Sequence, residues 1–192
     1  MILPTYATHA TTVFAAETVI VPITPDLEER AIKLAAAIAA AKGQEYHHLQ
    51  DPRNREKRFS TGNIAEVAVE KMLGVPFIDT SIGRSAHYAG ADLKHIGLRM
   101  GIKSACYEND KFPMPLRNES DPQIICFVLP KVVLVCGVAS VPVLQKYCMT
   151  ELVIDPKARD RKTGFYGIDH LIRFRNYVQL VRIADGLHAL IH

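Results

Sequence analysis

Two apolar, β-branched segments, residues 123–129 and 132–138, are separated only by Pro130 and Lys131. Two such runs divided by a short break with a proline are typical of antiparallel strands joined by a tight turn. Both runs are apolar almost throughout and do not alternate with polar residues, so we expect both faces of each strand to be covered. The pattern predicts a β-hairpin in the buried middle of a sheet.

The segments before this hairpin predict two helices that can cover a sheet. Asp26 is a candidate cap for an alanine-rich helix over residues 31–42, which Gly43 ends. A second helix is predicted over residues 64–73, with apolar residues along a broad stripe and Gly74 as its end. The alanine content of the first helix indicates close packing against a neighbour.

The rest of the chain is predicted to hold shorter strands and their connections. The predicted strands lie within residues 11–23, 88–93 and 98–107. The predicted loops or turns lie at residues 44–60, 94–97 and 109–122. A short helix is expected to start at Ser140, before Pro142. Helices mixed with strands in this order predict an α/β protein.

The length of the chain and its apolar content favour one domain. A chain of 192 residues that is 48% apolar can bury one core. We therefore predict a single domain over residues 1–192, with an N-terminal strand or arm (1–25), a core motif region (61–140) and a basic C-terminal segment (156–192).

Cysteine spacing and hydropathy give an expectation for the compartment. The four cysteines are widely spaced, lie in apolar runs and form no Cys-x-x-Cys pair, which favours buried thiols in a reducing compartment. Neither a signal-peptide pattern nor an apolar run of membrane-spanning length is visible. The expectation is a cytoplasmic protein without a membrane partner.

Positive charge is concentrated in two parts of the sequence, although the formal net charge is only +3. Such clusters can grip a phosphate backbone without reading its sequence, and they can equally be solvated surface. The candidate nucleic-acid-binding residues are Arg53, Arg55, Lys57, Arg58, Arg159, Arg161 and Lys162.

An acid, a turn and a lysine follow one another between residues 90 and 105. If a hairpin turns between Ile96 and Gly97, the residue opposite Asp92 is Gly101, and Lys103 is its diagonal neighbour. Alternation along the strand places Gly101 and Lys103 on one face, and the residues between them on the other face, towards the core.

These residue types suit the hydrolysis of a phosphodiester. Attack by water needs a deprotonated water and neutralisation of the charge that develops on the phosphate, which Mg²⁺ and a lysine can supply. Mg²⁺ prefers hard oxygen ligands such as the Asp92 carboxylate and a backbone carbonyl like that of Ile102. Lys103 at the edge of the metal site could orient the water.

The order and spacing of these residues resemble the PD-(D/E)XK nuclease superfamily. The resemblance rests on Glu66 in Gly-x-x-x-Glu-x-x-Val, on Asp92, on Ile102-Lys103-Ser104 and on the hairpin that follows. It implies a restriction-endonuclease-like fold, with a central mixed β-sheet flanked by helices. It also implies a nuclease that uses Mg²⁺, or Mn²⁺ as a substitute. DNA is favoured as the substrate, and RNA is the open alternative. Asp92 and Glu66 would then be metal ligands and Lys103 the catalytic lysine.

Gly101 departs from the superfamily pattern, which has Asp or Glu two residues before the lysine. Glu70, one turn beyond Glu66, is a candidate replacement ligand; Glu108 and a water molecule are alternatives. The competing hypothesis is a catalytically silent nuclease-like domain that binds nucleic acid or protein, as an inhibitor or accessory subunit. An unrelated small-molecule enzyme is a third possibility, although no phosphate loop or nucleophile elbow is present. Cleavage of both strands would call for a homodimer.

Overall fold

The structure of the chain is a computed structural model. It describes residues 18–41, 55–78, 91–106, 120–151, 162–165 and 167–174. The predicted helix stop at Gly43, most of the loop at 109–122 and the residue Glu108 lie outside these ranges, as does most of the basic C-terminal segment.

A mixed four-stranded sheet forms the centre of the described structure. Its strands are β1 (Val19–Pro22), β2 (Gly101–Cys106), β3 (Gln123–Val128) and β4 (Val132–Ala139), in the order β1-β4-β3-β2. β2 pairs with β3 in parallel, whereas the β3–β4 and β1–β4 pairs are antiparallel. With the helices, this sheet confirms the predicted α/β class.

Three helices and a separate two-stranded ribbon accompany this sheet. The helices are α1 (Pro25–Ala41), α2 (Arg55–Leu73) and α3 (Val141–Tyr147). Strands β5 (Cys148–Glu151) and β6 (Lys162–Phe165) form the antiparallel ribbon. Ser140 precedes α3 in extended conformation and Pro142 lies in its first turn, as the sequence predicts.

The predicted central hairpin is confirmed. β3 and β4 pair along their lengths, and the Leu129 N–H donates to the carbonyl of Val132 at 2.9 Å where the chain turns. Nearly every residue of both strands is buried. A bulge between Ile125 and Cys126 shifts the register, so Gly137 and Val135 pair with consecutive residues of β3.

Both faces of the sheet are buried, which corrects the expectation of one core face on β2. Ile102 and Ile124 pack into a cluster with residues of α1 and α2. Ala105 and Ile125, on the opposite face, pack into a second cluster with residues of α3 and the ribbon. The reason is that α3 and the β5–β6 ribbon cover the face that would otherwise meet solvent.

The helix boundaries differ from the predicted ones at their amino-terminal ends. α1 begins at Pro25, so Asp26 lies inside the helix, and the Glu28 N–H donates to the Thr24 carbonyl at 3.0 Å. α2 begins at Arg55, inside the segment predicted as a polar loop. Arg, Glu and Lys are good helix formers, so polarity there was a poor guide to a loop.

Residues 91–93 form a turn where a strand was predicted over 88–93, of which residues 88–90 lie outside the described ranges. The Leu93 carbonyl accepts hydrogen bonds from the Ile96 and Leu98 N–H groups, at 3.1 and 3.2 Å, which coils the backbone. A short 3₁₀ helix (Lys94–Ile96) and Gly97 at φ 79° complete the predicted turn. β2 therefore begins at Gly101, later than predicted.

Three cysteines of the described ranges lie in the protein interior. Cys126, Cys136 and Cys148 are buried free thiols as predicted, and burial raises the pKa of Cys136 to about 12. Within the described ranges, no helix combines the length and the apolar character needed to cross a membrane.

Replacing Gly137 by alanine should destabilise the fold. Gly137 has φ 144°, and an added Cβ would lie 2.6 Å from the carbonyl oxygen of Ile172, whose backbone pairs with Val138. We expect Gly137→Ala to lower the free energy of unfolding by about 2 kcal/mol, measured by urea denaturation. Gly62→Ala is the matched control, since that Cβ would meet no atom within 4 Å in α2 and should stabilise by about 1 kcal/mol. Equal effects of the two substitutions would contradict this account.

Candidate active site

Asp92 is hydrogen-bonded to the edge of β2 that faces away from β3. β2 is the last strand in the order of the described sheet. The Asp92 Oδ2 accepts a hydrogen bond of 2.5 Å from the Ile102 N–H. The Leu93 N–H donates to the Met100 carbonyl at 3.1 Å. The Leu93–Met100 hydrogen bond corresponds to the predicted register, in which Asp92 lies opposite Gly101. Asp92 itself lies in a turn and not in the predicted strand.

The carbonyl of Ile102 is directed to the same side of β2 as Asp92. The N–H and C=O groups of one strand residue point towards the same neighbour. Because the Ile102 N–H reaches Asp92, its carbonyl does not point towards β3. The Ile102 carbonyl therefore points to the side of β2 on which Asp92 lies, and the sequence predicts both groups as metal ligands.

Glu66 lies on α2 and shares its electrostatic environment with Asp92 and Lys103. The pKa of Glu66 is raised to about 8, first by burial and then by the negative charges of Asp92 and Glu70, while Lys103 acts to lower it. Solvent screens charges in a partly buried site only weakly. Glu66 is thus electrostatically coupled to Asp92 and Lys103, and the sequence predicts these three residues as a site.

The site lies at the rim of the sheet and not over one face. Ser104 faces α2, and its Oγ donates to the Thr61 carbonyl at 3.4 Å. Lys103 alternates with Ser104 and belongs by parity to the opposite face. Because β2 is the outer strand of the described sheet, residues from its two faces and from α2 can meet around its edge.

Glu70 is buried and its oxygens are engaged. Oε1 pairs with the Arg30 guanidinium at 2.5 Å, and Oε2 accepts hydrogen bonds of 3.0 Å from the Phe77 and Ile78 N–H groups. Burial acts to raise the pKa of Glu70, but the Arg30 hydrogen bond, the two amides and the Arg30 charge outweigh it, so the pKa is lowered. To bind a metal at the Gly101 position, Glu70 would have to leave these partners.

Gly101 lies against the side chain of Gln123, its partner on β3. A Cβ at position 101 would lie 2.2 Å from Gln123 Oε1 and 2.9 Å from its Cδ. The side chain of Gln123 is buried, and its Nε2 donates to the Asp121 carbonyl at 2.8 Å. The amide of Gln123, from the neighbouring strand, thus occupies the space in which a side chain at position 101 would begin.

The remaining predicted residues are placed less completely. Arg55, Lys57 and Arg58 lie in the first turns of α2, the helix that carries Glu66, and Lys162 begins β6. Nothing is described of these four side chains, and Arg53, Arg159 and Arg161 lie outside the described ranges. Their part in nucleic-acid binding stays a prediction.

Sequence reasoning missed Gln123 and Arg30. Gln123 is a polar residue that opens an otherwise apolar buried run, and this was a usable signal. Arg30 lies 40 positions before its partner Glu70, and no local pattern joins them.

Comparisons with protein-family models, with curated proteins and with solved structures gave no match. Across the described ranges, no group of three or more His, Cys, Asp and Glu side chains is arranged to hold a metal ion.

Removing the carboxylate of Glu70 should destabilise the fold markedly. Glu70→Ala leaves two N–H groups and Arg30 without their acceptor, and we expect a loss of about 2–4 kcal/mol in the free energy of unfolding at pH 7. Glu70→Gln keeps an oxygen for the two amides and loses mainly the pair with the half-exposed Arg30, so its loss should stay near 1 kcal/mol or below. Urea denaturation of both variants tests this; similar losses would show that the amide bonds contribute little.

Glu66 should make the metal-free protein less stable as pH rises. Its pKa is about 8 in the fold against an ordinary value of 4.5, so between these values the folded state binds a proton that the unfolded state has released. Its contribution is complete below about pH 4.5 and is lost as pH rises through about 8. In EDTA, we expect the fall in unfolding free energy between pH 5 and pH 8.5 to be smaller in Glu66→Gln by about 1–4 kcal/mol.

The exposed Glu28 on α1 provides the control for this measurement. Glu28→Gln should leave the pH dependence of the wild-type protein unchanged. The same slope in Glu66→Gln and wild type would contradict the assignment.

Proposed function

We propose that this protein is a metal-dependent nuclease that hydrolyses phosphodiester bonds, in DNA rather than RNA. The observation that carries the proposal is the electrostatic coupling of Glu66 to Asp92 and Lys103, together with the hydrogen bond from the Ile102 N–H that holds Asp92 beside β2. These residues come from a helix, a turn and a strand. A mixed sheet flanked by helices, as a restriction-endonuclease-like fold has, supports the same proposal.

The donor set fits a hard divalent cation. Asp92 and Glu66 offer carboxylate oxygens, and the Ile102 carbonyl is directed to the same side of β2. The pKa of Glu66 is raised by burial and then by the negative charge of Asp92, and a cation bound to both carboxylates would favour the charged form of Glu66. Mg²⁺, with Mn²⁺ as a substitute, would supply a Lewis acid for the phosphate and a bound water of lowered pKa.

The protein's own groups then have separate tasks. The Ile102 N–H holds one oxygen of Asp92, which orients the carboxylate before any ligand binds. Glu66 carries a proton at neutral pH in the metal-free protein, because its pKa is about 8. The ammonium group of Lys103 would stabilise negative charge on the phosphate and orient the attacking water. The basic residues in the first turns of α2 would contact the nucleic-acid backbone, and a homodimer would present two sites to a duplex.

Loss of the Lys103 ammonium should abolish cleavage without unfolding the protein. We expect Lys103→Ala to slow Mg²⁺-dependent cleavage of plasmid DNA at least about 100-fold, since a positioned charged or proton-transferring group is typically worth that much. EDTA should stop the wild-type reaction, and Mn²⁺ should restore it.

Lys131→Ala, at the exposed turn between β3 and β4, is the matched control and should cleave like the wild type. Circular dichroism checks that both variants are folded. Folded, Mg²⁺-loaded wild-type protein that leaves linear, nicked, branched and single-stranded DNA intact would exclude the proposal.

A second candidate function is a catalytically silent nuclease-like domain that binds nucleic acid or protein. The observation in its favour is Gly101, which has no side-chain oxygen and lies against the end of the Gln123 side chain. This candidate predicts DNA binding that weakens with salt, without cleavage in Mg²⁺ or Mn²⁺. Metal-dependent cleavage by the wild type, lost in Lys103→Ala, would exclude it.

A further inference from the structure

Gly101 is explained by space and not by backbone conformation. Its φ is not among the positive values, which within the described ranges belong to Gly74, Gly97 and Gly137. A Cβ at position 101 would lie 2.2 Å from Oε1 of Gln123, so the end of the Gln123 side chain would have to move to admit it. Glycine at position 101 and glutamine at position 123 therefore form a matched pair.

The parallel pairing of β2 with β3 puts this amide on the face of Gly101. Gly101 and Gln123 are register partners, so their side-chain directions coincide on the sheet. Neighbouring strands lie about 4.8 Å apart, a distance that the extended side chain of a glutamine spans. The carboxamide thus reaches the position where a side chain of residue 101 would begin.

The orientation of the amide is set by its nitrogen. Nε2 donates to the Asp121 carbonyl at 2.8 Å, which holds the NH₂ group towards the chain before β3. Of the three amide atoms, Oε1 is then the one nearest to the Cβ position of residue 101. An amide oxygen is a hard, neutral ligand that Mg²⁺ and Mn²⁺ accept.

We propose that Gln123 supplies, across the β2–β3 pair, the oxygen ligand that Gly101 lacks. The proposal rests on the metal-dependent function proposed above. Within the described ranges the Asp and Glu side chains do not form a three-ligand group, and a side-chain amide is a further source of a hard oxygen ligand. Gln123 has only 2% of its surface exposed, and such a buried polar side chain beside a strand start needs a reason to be kept.

The substitution also changes the charge of the site. A carboxylate at position 101 would add a third negative charge beside Glu66 and Asp92, whereas the amide adds none. Fewer charged ligands weaken the binding of a divalent cation. A site with Gln123 should therefore bind Mg²⁺ and Mn²⁺ more weakly than one with an acid at that position.

The direct test observes the side-chain amide of Gln123 in the wild-type protein by NMR during a Mn²⁺ titration. Mn²⁺ next to Oε1 should broaden the Gln123 side-chain NH₂ resonance first, before that of the exposed Gln145 on α3, which serves as internal control. Equal broadening of both resonances, with Mn²⁺ bound near Asp92, would overturn the proposal. This measurement needs no substitution and is independent of activity.

Substitutions at position 123 test the same ligand through affinity. By titration calorimetry, Gln123→Leu should weaken Mn²⁺ binding by about tenfold or more, and Gln123→Glu should strengthen it. Gln145→Leu should bind like the wild type. Folded position-123 variants with wild-type Mn²⁺ affinity would overturn the proposal and leave the metal site itself intact. A wild-type protein that binds no Mn²⁺ would instead remove the proposed function and this inference together.

A paired exchange separates ligand loss from damage to the fold. Gly101→Glu alone should fail to improve Mn²⁺ binding, because Gln123 occupies its space. Gly101→Glu combined with Gln123→Ala should restore or exceed the wild-type affinity, with a strong coupling between the two positions. If Gly101→Glu alone strengthens Mn²⁺ binding as much as the double variant, the amide does not hold the ligand position and the proposal is wrong.

Discussion

The parallel pairing of β2 with β3 is the constraint on which the rest of the arrangement depends. It joins two strands that are far apart in sequence and aligns Gly101 with Gln123 and Lys103 with Ile125. It also leaves the other side of β2 to Asp92, which bonds to the Ile102 N–H. A slip of one residue would turn Lys103 towards α2 and move Gly101 away from the Gln123 amide. The register thus defines both the site and the unusual glycine within it.

Glu66 and Glu70 illustrate how position on one helix decides the state of a carboxyl group. They lie one turn apart on α2, and burial acts to raise the pKa of both. Glu70 meets Arg30 and two backbone amides, so its charged form is stabilised and its pKa is lowered. Glu66 faces the charge of Asp92 with only partial compensation from Lys103, so its pKa rises. One acid is therefore a charged structural anchor, and the other has a pKa raised to about 8.

Local patterns predicted much of the fold. The β3–β4 hairpin, the end of α2 at Gly74 and the turn at Gly97 follow from β-branched runs and from the left-handed conformation that glycine adopts easily. The start of α2 was missed because its first residues are polar and were predicted as a loop, although Arg, Glu and Lys form helices well and a long packed helix tolerates Gly62 in its interior. The strand predicted around Asp92 became a turn because the Leu93 carbonyl is shared by two N–H groups.

The sequence by itself determined the residue types of the candidate site, the acids Glu66 and Asp92 and the lysine Lys103, together with the absence of an acid at position 101. It could do so because these features depend on spacing within short segments. Only the tertiary structure decided that the Gln123 side chain occupies the space beside Gly101. The reason is that a parallel strand pair brings together residues whose contact cannot be seen in the local sequence pattern. The tertiary structure likewise decided that Glu70 forms an ion pair with Arg30, because the packing of α1 against α2 selects that partner from many cationic side chains.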